Sequence, residues 1–131
     1  MQRPAATAGM RHIALYVNDL QAAEHFYVDL LGMQVEWRPD ADNVYLTSGN
    51  DNLALHRSER ETDAAAQTLD HIGFILKTLD DIDAWYEFLL AHGIEMKSAP
   101  RTHRDGARSF YCVGPQNVVV QMVFHPPIAN R

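Results

Sequence analysis

Two histidines occupy equivalent places in the chain and are the first candidates for chemistry. Ala14 follows His12 after one intervening residue, and Gly73 follows His71 in the same way. Because residues two apart in a strand lie on one face, each small residue leaves space beside an imidazole. Imidazole nitrogens are common ligands of divalent transition metals. The pair therefore indicates a metal site, and the alternative is two half-buried histidines that are hydrogen-bonded to the backbone.

A metal held by two histidines needs a further ligand. Gln121 is the only polar side chain in the run VVVQMVF, and an amide there needs a hydrogen-bond partner or a role as ligand. Both readings stay open. In the first half, Ala54 offers no donor atom, and His56 is either a further ligand or the end of a strand. The predicted metal ligands are His12, His71 and Gln121, with His56 as a further candidate.

These residues belong to an internal repeat. Arg11–Val35 aligns with Asp70–Met96, and six positions carry the same residue in both copies. The identical pairs are His12 and His71, Ile13 and Ile72, Leu20 and Leu79, Tyr27 and Tyr86, Leu30 and Leu89, and Leu31 and Leu90. Two copies are too few for a solenoid. The repeat therefore predicts two similar modules, related by a pseudo-twofold axis, which would bring the paired histidines to one point.

Each copy opens with a strand pattern and continues with a helix pattern. Asp19 is the predicted N-cap of the first helix, and Thr78 or Asp80 caps the second; Gly32 and Gly93 end them. The alternating strand residues are Ile13, Leu15 and Val17, then Ile72, Phe74 and Leu76. The apolar helix stripes are Ala23, Phe26, Tyr27, Leu30 and Leu31, then Ile82, Trp85, Tyr86, Leu89 and Leu90.

Three further strands follow each helix. They are predicted at Met33–Arg38, Asn43–Thr47 and Leu53–His56, then at Ile94–Lys97, Arg108–Val113 and Val118–Phe124. The fold class is therefore α+β, with two βαβββ modules that form a partly open, barrel-like mixed sheet around one cavity. We expect a single domain, 1–131. Module one covers about 10–57, the linker about 58–68, and module two about 69–126.

The composition and charge of the chain argue against some classes of partner. The 131 residues are 47% hydrophobic, and 11 Lys and Arg stand against 17 Asp and Glu, which gives a net charge of −6. This balance argues against nucleic acid as a partner. No apolar run reaches the roughly 20 residues of a membrane helix, and no secretory signal is evident, so we expect a cytoplasmic protein without a membrane partner. The single cysteine, Cys112, is more typical of a buried, inert thiol than of a nucleophile.

The paired βαβββ pattern, over about Met10–Pro126, resembles the vicinal oxygen chelate superfamily. That superfamily includes glyoxalase I, ring-opening extradiol dioxygenases, and fosfomycin- and bleomycin-resistance proteins. Its metal ligands come from the first and last strands of the modules, and the resemblance implies the positions His12, Ala54, His71 and Gln121. Ala54 departs from the four-ligand glyoxalase pattern, which has a carboxylate there. The resemblance also implies a small-molecule substrate, and we expect a homodimer.

The segment His103–Gln121 resembles single-domain extradiol dioxygenases, in which the ligand Glu lies ten residues after the active-site Tyr. The resemblance implies catalytic roles for Tyr111 and for His103, which would assist proton transfer. It also implies Fe(II) or Mn(II) as the metal, with Ni, Zn or no metal as alternatives. Gln121 stands where these enzymes have Glu. For Tyr111 and Gln121 to share a face, the loop between their strands must have odd length, such as Gly114–Val118. A loop of even length would put Phe110 opposite Gln121, and the sequence leaves both registers open.

Two functions remain open. The first is a metal-dependent dioxygenase or glyoxalase-like lyase acting on a small, catechol-like substrate with adjacent oxygens. The second is a metal-free protein that binds an antibiotic or another aromatic ligand. Arg101, Arg104 and Arg108 surround Gly106, and they either meet an anionic substrate or form a solvated loop.

Overall fold

The computed structural model describes residues 2, 3, 6, 10–61 and 69–129. The chain divides into two compact units, Met1–Glu59 and Arg60–Arg131, called module one and module two below. The division lies within the predicted linker, of which residues 62–68 fall outside the described residues. The assignment of both modules to one domain around one cavity stays a prediction.

Module one is a four-stranded mixed sheet with a helix after its first strand. Its elements are β1 (His12–Val17), α1 (Leu20–Glu24), which continues as a π-helix over His25–Leu30, β2 (Gln34–Asp40), β3 (Asn43–Thr47) and β4 (Asn52–Arg57). The strand order is β1-β4-β3-β2. Strands β1 and β4 are parallel, and the other neighbours are antiparallel.

Module two repeats this arrangement. Its elements are β5 (Ile72–Ile75), α2 (Leu79–Ala91), β6 (Met96–Thr102), β7 (Arg108–Val113) and β8 (Val119–Phe124), with a short 3₁₀ turn at Pro115–Asn117. The strand order is β5-β8-β7-β6, and β5 and β8 form the parallel pair. The predicted α+β fold of two βαβββ modules with mixed sheets is confirmed.

The helix boundaries follow the predicted capping residues. Asp19 accepts a hydrogen bond from a backbone N–H three residues later, at 3.0 Å. Thr78, and not Asp80, caps α2: its hydroxyl accepts the N–H of Asp81 at 3.3 Å, and the Asp81 carboxylate accepts the Thr78 N–H at 3.1 Å. This reciprocal pair is a capping box. A glycine with positive φ follows both helical segments, as predicted.

Alternation along the strands separates a core face from a second face in each module. On the core face of β7 and β8 the buried residues are Phe110, Cys112, Val120 and Met122, and α2 adds Ile82 and Leu89. In module one they are Leu15, Val17, Val44, Leu46, Leu53 and Leu55, with Phe26, Tyr27 and Leu30 from the helical segment. The predicted metal ligands alternate with these core residues and therefore belong to the second face.

Two local predictions were wrong. Strand β6 runs over Met96–Thr102 instead of Ile94–Lys97, because it lies at the edge of its sheet, where Pro100 needs no hydrogen bond from its nitrogen. Leu90 is 46% exposed although it was placed in the buried stripe of α2. One residue rotates a helix by about 100°, so Leu90 turns away from the buried side marked by Leu89.

Replacing Thr78 with Ala should destabilise module two through its helix. The substitution removes the acceptor for the Asp81 N–H, and the loss of an N-cap typically costs about 1 kcal/mol. Urea unfolding should show this drop in the free energy of unfolding. Lys77→Ala, at the exposed neighbouring position, is the matched control and should leave the free energy nearly unchanged. Equal effects of the two substitutions would contradict the assigned cap.

Candidate functional site

The register of β8 brings three predicted features of module two together. Gln121 is paired with Gly73 of β5 on one side and with Tyr111 of β7 on the other. Directly paired residues point to the same face of a sheet. The loop Gly114–Val118 has odd length, and of the two registers that the sequence leaves open the structure has the one that pairs Tyr111 with Gln121.

Gly73 leaves room for the amide of Gln121. A Cβ atom built on Gly73 would lie 3.7 Å from Gln121 Oε1 and 3.9 Å from a side-chain carbon of Val123. The amide oxygen thus lies over a backbone that carries no side chain. A small residue was expected beside the histidine, and the structure shows that it also borders the predicted amide ligand.

His71 is held in a defined orientation. Its Nδ1 lies 2.7 Å from Asp70 Oδ2, and its side chain is 32% exposed. The hydrogen bond with His71 lowers the pKa of the Asp70 carboxyl below its ordinary value, so the carboxylate is ionised at neutral pH and accepts the bond. Nδ1 therefore carries the hydrogen of this bond, and in the neutral imidazole Nε2 keeps a lone pair. Metal-binding histidines are commonly oriented by such a carboxylate.

Tyr111 contacts the same imidazole. The Tyr111 and His71 rings meet edge to face, with centroids 5.2 Å apart and an interplanar angle of 86°. His71, Tyr111 and Gln121 are therefore neighbours on one face of the module-two sheet. The structure brings together three of the predicted site residues within this module.

His103 lies further along this face. Its Nε2 is 3.3 Å from the hydroxyl oxygen of Ser109, which is only 2% exposed. Ser109 precedes Tyr111 by two residues in β7, so both point to the same face. His103 is thus linked to the Tyr111 row through a buried hydroxyl and not by direct contact. Sequence reasoning missed Ser109, although its spacing from Tyr111 places the two on one side of a strand.

His12 of module one has a similar free nitrogen. Its Nδ1 lies 2.7 Å from Asn52 Oδ1, across the parallel pair β1 and β4. An amide oxygen only accepts hydrogen bonds, so Nδ1 donates, and in the neutral imidazole Nε2 keeps a lone pair. His56 is fixed in the same way, with Nδ1 2.6 Å from Asn43 Oδ1. Ala54 lies between Asn52 and His56 in β4 and is 1% exposed.

A row of aromatic rings crosses the same face of module one, and sequence reasoning did not identify it. Trp37 stacks on Tyr45 with centroids 5.4 Å apart and an interplanar angle of 18°. His56 lies 6.0 Å from Tyr45 and 6.1 Å from Tyr16. Trp37 and Tyr16 are 60% and 67% exposed. We call these four residues the aromatic row; the only sequence signal for it was the position of Tyr16 on the face of His12.

The predicted ligands carry donor atoms of types that divalent ions accept. Within residues 10–61 and 69–129, no three side chains of His, Cys, Asp or Glu form a group that could hold a metal. The predicted set instead contains the imidazoles of His12 and His71 and the amide oxygen of Gln121. Nitrogen and neutral oxygen donors suit Fe(II), Mn(II), Ni(II) or Zn(II). Without a carboxylate, the set lacks the Coulomb attraction that strengthens such sites.

The three arginines around Gly106 play different parts. Arg108 donates to both Asp83 carboxylate oxygens, at 2.8 and 3.3 Å. Asp83 belongs to α2, so Arg108 lies on the helix side of the sheet and takes no part in the site face. Arg101 and Arg104, in contrast, line an open depression formed by residues 101–105.

The comparisons with known proteins identify the family. The model of the Glyoxalase/Bleomycin resistance protein/Dioxygenase superfamily matches residues 9–122. The chain therefore belongs to that superfamily. No curated protein sequence matched it.

Solved structures with the same fold carry different names. A lactoylglutathione lyase from Agrobacterium tumefaciens is 22% identical, with a TM-score of 0.74 over 92% of this chain and 96% of its own. The fosfomycin resistance protein FosX from Listeria monocytogenes is 18% identical, with a TM-score of 0.76 over 95% of this chain and 96% of its own. A glyoxalase/bleomycin resistance protein/dioxygenase from Alicyclobacillus acidocaldarius is 23% identical, with a TM-score of 0.71 over 91% and 92%. At these identities the likeness shows the fold.

Neither helix α1 nor α2, in the part of the chain that the structure describes, has the length and apolar character needed to cross a membrane. The longer of the two, α2, has 13 residues.

Cys112 should be inert in the native protein. It lies on the core face of β7 with no exposed surface, and burial raises the pKa of its thiol to about 11. At pH 8 the thiolate fraction is therefore very small, and a disulfide reagent such as DTNB should react only after denaturation in guanidinium. Because the unfolded thiol ionises at lower pH, this group should lower the stability of the fold only as pH rises above about 9. Rapid labelling of native protein at pH 8 would contradict the buried placement.

Proposed function

We propose that this protein is a divalent-metal-dependent enzyme of its superfamily, a dioxygenase or glyoxalase-like lyase, acting on a small substrate with two adjacent oxygens. A catechol-like molecule is the proposed substrate. The observation that supports this proposal most directly is the cluster of His71, Tyr111 and Gln121 on one face of module two. The Asp70 carboxylate holds the His71 ring with Nε2 free for coordination.

The proposed ligand set is His71, Gln121 and His12, with His56 as a possible addition. We include His12 because it occupies the repeat position of His71 and because its Nδ1 is engaged by Asn52 in the same manner. His56 also has a free Nε2, since its Nδ1 is bound to Asn43. Fe(II) or Mn(II) is the proposed metal.

The metal would supply Lewis-acid polarisation of the adjacent substrate oxygens. Tyr111 is proposed to orient the substrate through its hydroxyl, because its ring is fixed edge-on against His71. His103 is proposed to hold or release a proton at Nε2, the atom that lies 3.3 Å from the Ser109 hydroxyl. Ser109, which is 2% exposed, is proposed to position that imidazole through this hydrogen bond.

Gln121→Glu should strengthen metal binding. The substitution keeps an oxygen donor of similar reach and adds a negative charge, so affinity for Mn²⁺ should rise about tenfold or more. Isothermal titration of chelator-stripped protein measures it. Gln34→Glu, which adds the same charge on an exposed strand of module one, is the control and should change affinity little. Equal behaviour of both variants would remove Gln121 from the ligand set.

Oxygen uptake then tests the reaction itself. Protein loaded with Fe(II) or Mn(II) is offered a panel of catechols, and formation of a ring-opened product supports the dioxygenase. Turnover of a hemithioacetal without oxygen uptake supports the lyase. His71→Ala should abolish either activity together with metal binding. Absence of metal binding in wild type and in Gln121→Glu alike would exclude both enzymes.

A metal-free binding protein is the second candidate, and the aromatic row favours it. Trp37 and Tyr45 already stack face to face, and Trp37 offers its exposed ring to a further planar group. Ala54 supplies no ligand at the repeat position of Gln121. The net charge of −6 would favour a cationic aromatic ligand over an anionic one.

If this second function is correct, Trp37→Ala should weaken binding of N-methylquinolinium to chelator-stripped protein about tenfold, since aromatic stacking and cation–π contacts contribute about 1–2 kcal/mol. Equilibrium dialysis gives the dissociation constants. Val35→Ala, at an exposed position of the same strand, is the matched control. If wild type does not bind the probe, or if both variants bind it equally, the aromatic row does not bind aromatic ligands.

Homodimerisation stays a prediction. Measuring the molecular mass of the protein in solution tests it.

A further inference from the structure

We propose that Arg101 binds an anionic group of the substrate, a carboxylate, beside the cluster of His71, Tyr111 and Gln121. The inference rests on the proposed function in so far as it assigns both ends of one small molecule to this face. It adds a residue that determines specificity and a substrate class, an aromatic carboxylate with two adjacent oxygens.

An irregularity in β6 directs Arg101 toward the site. Ser98 is paired with Tyr111, so regular pairing would place Pro100 opposite Ser109. The register instead shifts by one residue between Ser98 and Arg101, and Arg101 lies opposite Ser109. β-Bulges re-aim side chains in this way and occur often beside functional sites. Because of this irregularity, Arg101 and not Pro100 lies on the face that carries Tyr111.

Contacts on the opposite face confirm the orientation. Thr102 is paired with Arg108, and the two side chains hydrogen-bond at 2.9 Å. Arg108 also binds Asp83 of α2, so Thr102 and Arg108 lie on the helix side. Arg101 precedes Thr102 in the strand and therefore points to the other side. Ser109, its partner, contacts His103 on that side.

The charge of Arg101 is not neutralised by its surroundings. Arg38, Arg57 and Arg108 each form an ion pair with a carboxylate at 2.6 to 2.9 Å. Among the residues that the structure describes, none forms a hydrogen bond or an ion pair with the guanidinium group of Arg101. The nearby carboxylate of Asp105 accepts the backbone N–H of Ala107 at 3.0 Å and so serves the turn.

The position in module one that is equivalent to Arg101 is Asp40, whose carboxylate is already hydrogen-bonded within the module. Asp40 is paired with Asn43, which lies two residues before Tyr45, as Ser109 lies two residues before Tyr111. The Asn43 amide donates to Asp40 at 2.8 Å. The repeat therefore places a satisfied carboxylate in module one and a guanidinium with an open depression in module two.

A guanidinium in this setting selects for a carboxylate. Its planar donors match the two oxygens of a carboxylate, and such charge-assisted pairs are the stronger hydrogen bonds in proteins. The Arg101–Ser109 row lies two strand residues, about 7 Å, from the Tyr111–Gln121 row. A benzene ring with adjacent oxygens at one end and a carboxylate at the other spans a comparable length.

The test compares two probes that differ only in the carboxylate. Catechol and 3,4-dihydroxybenzoate are titrated calorimetrically into chelator-stripped protein, which removes any dependence on metal. Wild type should bind 3,4-dihydroxybenzoate about tenfold or more tightly than catechol. Arg101→Gln should bring the ratio to about one, and Arg101→Lys should leave an intermediate ratio, since an ammonium lacks the planar fork. Lys77→Gln, which removes an exposed cation of module two outside the depression of residues 101–105, should retain the wild-type ratio.

Three results would overturn the proposal: no preference for the carboxylate in wild type, an unchanged preference in Arg101→Gln, or an equal loss in Lys77→Gln. Benzoate and benzyl alcohol form a second pair without adjacent oxygens. If Arg101→Gln abolishes the preference for benzoate while neither wild type nor Gln121→Glu binds metal, the anion site stands and the metal enzyme does not. A thermal unfolding midpoint for Arg101→Gln equal to that of wild type shows that the variant is folded.

Discussion

The pairing of Tyr111 with Gln121 is the constraint on which the site in module two depends. A shift of one residue between β7 and β8 would turn Gln121 toward the core and expose Val120 or Met122, both now buried. The five-residue loop Gly114–Val118 permits only a register of matching parity. The same geometry that packs apolar side chains under α2 therefore sets a polar amide beside a histidine and a tyrosine on the opposite face.

Much of this arrangement could be predicted because it depends on periodicity. The alternation of apolar residues and the capping residues Asp19 and Thr78 are local signals, and the helices begin where those residues stand. The repeat allowed His71 to be recognised from His12. The strand bounds Asn43–Thr47 and Arg108–Val113 are also as predicted, since turn residues limit them on both sides.

The remainder depends on pairing between strands that are distant in sequence. The bulge that turns Arg101 toward the site face arises from the register of β6 on β7, and no residue type in β6 predicts it. The stack of Trp37 on Tyr45 follows a register shift in β2 in the same way. The partners of the imidazoles, Asn52 and Asp70, also differ between the modules, although the histidines themselves correspond.

The two modules thus share one strand order and differ in the side chains at equivalent positions of their sheets. Where module two has Gln121, module one has Ala54; where module two has Arg101, module one has Asp40, held by Asn43. An amide contributes donor geometry without charge, and a guanidinium contributes charge that an anionic ligand can satisfy. On ionisation, the adjacent oxygens of the proposed substrate would supply negative charge that the proposed ligand set of His12, His71 and Gln121 lacks, while the carboxylate would pair with Arg101. On this reasoning, the substrate itself would complete the electrostatics of a neutral donor set, and metal affinity would be greatest when substrate is bound.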